Sequence, residues 1–188
     1  MTNIYDSYTQ DLVRQIEKLQ NFQLQPLFEA LYTCLEERRQ VFIIGNGGSG
    51  GNANHIANDF LYPISKKMGI GIKAHSLVEN PSTICCLAND EGYEHIFSAQ
   101  LKVLGQSGDI LIALSGSGNS PNIVNCLNIA KEMSIKSFSM LGYDGGKCLG
   151  ISDHVIHFDT SDMQVCEDMQ MVVANCALKE IYHRINAG

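Results

Sequence analysis

Asp109-Ile110-Leu111-Ile112-Ala113-Leu114-Ser115-Gly116-Ser117-Gly118-Asn119-Ser120-Pro121 decides how this chain folds. The first half is an apolar run of strand length. The second half is a small-residue loop that ends at a proline suited to the first turn of a helix. A strand, a Gly/Ser loop and a helix start make a pocket for an anion. The glycines let backbone amides crowd toward a ligand. The helix start contributes unpaired N–H groups and the positive end of a dipole. Ser115, Ser117 and Ser120 can donate hydroxyl hydrogens to phosphate oxygens. The loop holds no Lys, so it is not a Walker-type nucleotide loop. A small phosphorylated metabolite is the expected ligand.

Upstream, the same unit recurs. Val41-Phe42-Ile43-Ile44 reads as a buried strand, followed by the glycine loop Gly45-Asn46-Gly47-Gly48-Ser49-Gly50-Gly51 and a helix from about Asn52 to Leu61. Before it, Ile4 to Arg39 reads as two helices, with Ile16, Leu19 and Phe22 on one apolar face and Leu27, Leu31 and Leu35 on another. After it come a strand within Ile70 to Leu77, a helix opened by Asn80-Pro81 and reaching about Leu87, and a helix from Glu94 to Leu104 ending at Gly105. Beyond the serine loop come helix Pro121–Met133, strands Lys136–Leu141 and His154–Phe158, and a long helix from Met163 to about Arg184. Alternating strands and helices joined by short Gly/Ser/Asn loops imply an α/β three-layer sandwich around a central parallel sheet of about five strands, with N-terminal helices added. Ligands in such sheets bind beyond the carboxyl ends of the strands, where both loops lie. One domain is expected over residues 1–188: helices for packing and oligomerisation in 1–39, and an α/β core that binds the ligand in 40–188.

Composition narrows the partners. The 188 residues are 45% apolar, which suits a folded globular chain. The 13 Lys and Arg stand against 20 Asp and Glu, a net charge of −7 that disfavours nucleic acid or an anionic membrane as partner. No apolar run approaches the roughly 20 residues of a membrane span, and Met1 to Asp6 lacks a signal pattern. A cytoplasmic protein is expected. The seven cysteines, Cys34, Cys85, Cys86, Cys126, Cys148, Cys166 and Cys176, include no Cys-x-x-Cys pair. Most of them read as small core residues in a reducing compartment. Gly45-x-Gly47-x-x-Gly50 matches the dinucleotide fingerprint in form, but no acid stands about 20 residues on, so no nucleotide cofactor is expected.

Asn46-Gly47-Gly48-Ser49 together with Ser115-Gly116-Ser117-Gly118-Asn119-Ser120 resembles the sugar isomerase (SIS) domain, and more narrowly its phosphoheptose isomerases. Asn54-His55-Ile56-Ala57-Asn58-Asp59, Ala88-Asn89-Asp90-Glu91-Gly92-Tyr93 and Gly142-Tyr143-Asp144-Gly145-Gly146 carry the likeness further. The resemblance implies a flavodoxin-like fold and a homotetramer with sites at subunit boundaries. It implies conversion of sedoheptulose 7-phosphate to D-glycero-D-manno-heptose 7-phosphate for lipopolysaccharide or capsule synthesis. Ser49, Ser115, Ser117 and Ser120, with Gly116, would hold the phosphate; Asn46, Gly47, Gly48, Asn89 and Asp90 would line the sugar.

The departures from the family pattern fall on the chemistry. The family pairs His with Glu where this chain has His55 and Asp59, four apart on one helix face. It has Gln and His where this chain has Glu167 and Asn175 on the last helix, with Met171 and Gln170 nearby. The resemblance implies zinc, for which His55, Asp59, Glu167 and Asn175 are the candidate ligands, although the replaced Gln and His weaken that set. Asp59 and Glu167 are the candidate acid–base pair, His55 assisting: facing each other, they would repel, so that one holds a proton while the other accepts one. Two alternatives remain open. One is a non-catalytic SIS protein that associates with the bacterial replication initiator, a branch that also carries Asn at the position of Asn175. The other is an isomerase of a different sugar phosphate.

Overall fold

The computed structural model describes residues 3–62 and 69–187. Two helices open the chain, α1 (Ile4–Lys18) and α2 (Asn21–Glu36). Five strands then alternate with helices: β1 (Gln40–Gly45), α3 (Gly47–Leu61), β2 (Lys73–Ser76), α4 (Pro81–Asp90), α5 (Ser98–Leu104), β3 (Ile110–Ser115), α6 (Pro121–Glu132), β4 (Lys136–Leu141), β5 (His154–His157) and α7 (Met163–Ala187). Short 3₁₀ turns cover Tyr93–His95 and Lys147–Gly150. The strands form one parallel sheet in the order β2-β1-β3-β4-β5. The five-strand, three-layer architecture read from the sequence is the one observed.

Period-two alternation assigns each strand residue to a layer. Val41 and Ile43 pack with α2, α3 and α7, as do Ile110, Ile112 and Leu114. Phe42 and Ile44 pack on the opposite side with α5 and α6, as do Leu111 and Ala113. All of these side chains are buried, which is why the strands read as continuous apolar runs rather than alternating ones. Leu27, Leu31 and Leu35 of α2 are buried as their spacing requires, each burial contributing roughly 1.5–3 kcal/mol.

Some boundaries and faces differ from the sequence reading. The helix expected from Asn52 begins at Gly47, inside the glycine loop, with Asn46 as its N-cap residue. The helix expected from Glu94 is broken into the Tyr93–His95 turn and α5. Asn80 does cap α4, its Oδ1 accepting from the Thr83 N–H at 3.2 Å. On α1 the buried residue is Gln15, whose amide donates to the Asp159 carbonyl at 2.7 Å, while Ile16 is exposed. The side chain of Phe22 lies outside the described residues. The cysteine reading holds for most of them: Cys34, Cys126, Cys148 and Cys166 are core residues, and Cys85, Cys86 and Cys176 are exposed.

Candidate functional site

Strand order reverses between β1 and β3, so a crevice opens at the carboxyl ends of these two neighbours. Their register sets Gly45 opposite Leu114 and brings the two loops abreast. A cavity of about 250 Å³ lies between them. Asn46, Gly47, Gly48 and Ser49 line it from the first loop, and Leu114, Ser115, Gly116, Ser117 and Ser120 from the second. Met163 and Glu167 close it from α7. The amino ends of α3 and α6 both open onto this space, so two helix dipoles favour an anion there. Among the described residues that line it, Glu167 is the one with a charged side chain.

The hydroxyls are polarised for donation. Ser115 Oγ accepts the Gly118 N–H at 3.1 Å, and Ser117 Oγ accepts the Asn119 N–H at 3.3 Å. Ser49 Oγ accepts from Gln170 Nε2 at 3.1 Å. Each oxygen is engaged as an acceptor, which leaves its hydrogen for a ligand that can only accept, such as a phosphate. Ser120 is the N-cap residue of α6 but makes no side-chain cap bond, so its hydroxyl too is available.

At two glycines another group approaches closely. Gly118 has φ +62°, and a Cβ there would strike the Gly145 carbonyl of the loop after β4. That loop buttresses the serine loop, with the Gly142 N–H donating to the Gly116 carbonyl at 2.9 Å and the Cys148 N–H to the Gly118 carbonyl at 3.0 Å. A Cβ on Gly48 would fall on the Glu167 carboxylate, so that carboxylate lies directly over the start of α3.

Asn46 and Asn122 lock the two loops together. Asn46 Nδ2 donates to Asn122 Oδ1 at 2.9 Å, and Asn122 Nδ2 returns a bond to Asn46 Oδ1 at 2.8 Å. Asn122 Oδ1 also takes the Ile123 N–H at 3.0 Å, which fixes its amide orientation. Tyr93 Oη adds a bond to Asn46 Oδ1 at 3.2 Å.

Several residues singled out from the sequence lie elsewhere in the chain. His55 and Asp59 do pair, Nε2 to Oδ2 at 3.3 Å. They stand about two and three turns along α3 from Gly48, which puts the Asp59 Cα about 16 Å away along the axis. Within one chain, then, Asp59 and Glu167 do not face each other as a carboxylate pair. Asn175 is exposed, about 12 Å further along α7 than Glu167. Among the described residues no three His, Cys, Asp or Glu side chains gather as a metal site, so His55, Asp59, Glu167 and Asn175 do not form a zinc-ligand set in one chain. Asn89 and Asp90 are exposed at the end of α4, bonded to each other at 2.7 Å, and do not line the cavity.

Asn52, Asn122, Tyr93 and Met163 were not assigned to the site from sequence, and Gln170 was noted only as a neighbour of Glu167. Gln170 carried one usable signal: it is an amide on the stripe of Cys166, Met169 and Val173, all fully buried, and a polar residue on such a stripe needs partners.

The comparisons with known proteins bear on the family and the fold. The family model described as SIS domain matches residues 4–142. The phosphoheptose isomerase of Helicobacter pylori (strain P12) is 32% identical over 184 residues, spanning 95% of this chain and 94% of that one. That of Fusobacterium nucleatum subsp. nucleatum is 32% identical over 185 residues, spanning 95% and 93%. Among solved structures, a phosphoheptose isomerase from Francisella tularensis has a TM-score of 0.86 at 24% identity, covering 96% of this chain and 98% of that one. The enzyme from Neisseria gonorrhoeae has a TM-score of 0.85 at 24% identity, covering 94% of each. This chain belongs to the SIS domain family.

Proposed function

We propose that this protein is an aldose–ketose isomerase that converts sedoheptulose 7-phosphate to D-glycero-D-manno-heptose 7-phosphate. The observation that carries the reading is the cavity itself: neutral hydroxyl donors and two helix amino ends, with one carboxylate among them. The donors suit the phosphate of a sugar phosphate, and the relatives named phosphoheptose isomerase narrow the sugar. The carboxylate supplies the chemistry. Glu167 takes a proton from C1 of the ketose while O2 takes one from solvent, leaving an enediol; it then returns its proton to C2 while O1 gives one up to solvent, forming the aldose. Its position over Gly48 favours it above Asp59 for this role.

The exposed apolar residues of α1, Ile4, Tyr5, Val13 and Ile16, support assembly with further copies, and a homotetramer is the state proposed. In such an assembly Asn89, Asp90, His55 and Asp59 would serve at subunit boundaries. Among the described residues no helix is long and apolar enough to cross a membrane. The proposed setting is the cytoplasm, where the product supplies heptose for lipopolysaccharide or capsule. The test is turnover of sedoheptulose 7-phosphate by the purified protein, followed by aldose formation. Turnover is expected, and its absence both with and without added zinc overturns the reading.

A further inference from the structure

We propose that Gln170 is a positioning residue that fixes the Ser49 hydroxyl as a donor toward the ligand's phosphate; the proposal rests on the phosphosugar reading above. The argument starts from a group whose polarity cannot reverse, the backbone carbonyl of Glu167. Asn52 Nδ2 donates to it at 2.9 Å, so the amino end of the Asn52 amide is the end that faces α7. The second hydrogen of that amino group goes to Gln170 Oε1 at 3.0 Å. Gln170 is thereby oriented with its own amino group at Ser49, where Nε2 donates to Oγ at 3.1 Å. Ser49 Oγ must accept. Among the described residues no protein atom takes its hydrogen, and the side chain lines the cavity. The hydrogen is left for the ligand.

A serine hydroxyl left to rotate can accept as readily as donate. A phosphate oxygen only accepts, so a hydroxyl held as a donor binds it without first reorganising. The arrangement matters more here because Glu167 brings negative charge into the same cavity. Gln170 is fully buried, and its stripe neighbours Met169 and Val173 are apolar. An apolar side chain would serve for packing alone, but it would leave Ser49 with nothing to set its orientation.

The experiment measures inorganic phosphate binding by calorimetry and sedoheptulose 7-phosphate kinetics for the full chain, for Gln170→Met, for Ser49→Ala and for the double variant. Each single substitution is expected to weaken phosphate binding about tenfold, the loss of one charge-assisted hydrogen bond. The double variant is expected to bind no more weakly than either single one, because both remove the same bond. Gln170→Met should raise KM by a similar factor while kcat stays within about twofold. Losses that multiply, a Gln170→Met that binds phosphate like the unaltered chain, or a fall in kcat at constant KM overturns the proposal. So does an unaltered chain that binds no phosphate. If Gln170→Met does not fold, Asn52→Ala carries the test: it should weaken phosphate binding about threefold in the unaltered chain and not at all in Ser49→Ala, and equal losses in both overturn the proposal. The non-multiplying pattern in a chain without turnover supports the relay and overturns the isomerase reading. Turnover with phosphate binding indifferent to Gln170 does the reverse.

Discussion

In the loop after β3 the hydroxyls of Ser115 and Ser117 are oriented by backbone amides two or three residues away. In the loop after β1 the hydroxyl of Ser49 is oriented by Gln170, 121 residues away. The serine loop organises itself once β3 and α6 exist, with the Gly142–Gly146 segment beneath it as a buttress. The glycine loop acquires its polarity only when α7 docks against α3, through Asn52, Gln170 and Ser49. Glu167 arrives on that same helix. The division of labour follows: both loops offer hydroxyls to the anion, but only the loop completed from a distance depends on α7, the helix that brings the group able to move a proton. A substitution in the first should act on binding or on folding without involving α7; one in the second should act through how α7 meets the cavity, on binding at Ser49 and on turnover at Gly48.

The largest expected effect tests this division at Glu167. Glu167→Gln keeps the shape and removes the charge. Turnover should fall 10²–10⁴-fold, the usual range for a general acid–base group. Inorganic phosphate should bind more tightly, by roughly tenfold, because a like charge leaves the cavity. Steady-state kinetics and calorimetry on the same preparation read the two opposite changes. Unaltered turnover, or a parallel loss of phosphate binding, breaks the comparison. A smaller pair of effects separates the glycines. Gly118→Ala puts a side chain at a left-handed backbone and into the Gly145 carbonyl, and should cost about 2 kcal/mol or more in urea unfolding. Gly48→Ala meets only the end of the flexible Glu167 side chain, so stability should change by under about 1 kcal/mol while turnover drops as the carboxylate is pushed aside. Equal unfolding costs in the two variants would erase the distinction between a buttressed loop and a completed one.

How much of this was legible in the sequence follows the same line. The sheet and its layers could be read because the signals are local: apolar runs of strand length, a helix period in Leu27, Leu31 and Leu35, and Asn80-Pro81 as a cap. The serine loop could be read as an anion site because its donors are consecutive in sequence. The glycine loop was read as a loop, yet Gly47 to Gly51 are the first turn of α3, because docking against β1, β2 and α7 overrides the poor helix propensity of glycine. Spacing placed His55 beside Asp59 correctly, since four residues is one helical turn. It could not show that Asp59 and Glu167 stay apart, because that depends on how α7 slides along α3, a register no local pattern encodes. The resemblance likewise drew Asn89 and Asp90 toward the sugar, but in one chain they sit exposed on the last turn of α4, outside the cavity. The Asn52–Gln170–Ser49 relay was hidden for the same reason: its members are far apart in sequence and meet only across the α3–α7 contact.

The smallest expected effect bears on whether two loops suffice to describe the cavity. Tyr93, on the turn before α5, is exposed and donates to Asn46 Oδ1 at 3.2 Å. That oxygen already accepts from Asn122 at 2.8 Å, and Asn46 keeps its own bond to Asn122 Oδ1 at 2.9 Å. Tyr93→Phe therefore removes one long, exposed bond from a pair that remains closed without it. The cost to stability should be under about 1 kcal/mol, and KM for sedoheptulose 7-phosphate should change by no more than about twofold. Asn122→Ala, which opens the pair and leaves the Ile123 N–H only its bond to the Ser120 carbonyl at 3.1 Å, should do more to both. If Tyr93→Phe instead raised KM as far as Asn122→Ala does, the orientation of Asn46 would depend on the Tyr93 turn. The loop after β1 would then be completed from two sides, by α7 and by that turn, while the loop after β3 still needs neither.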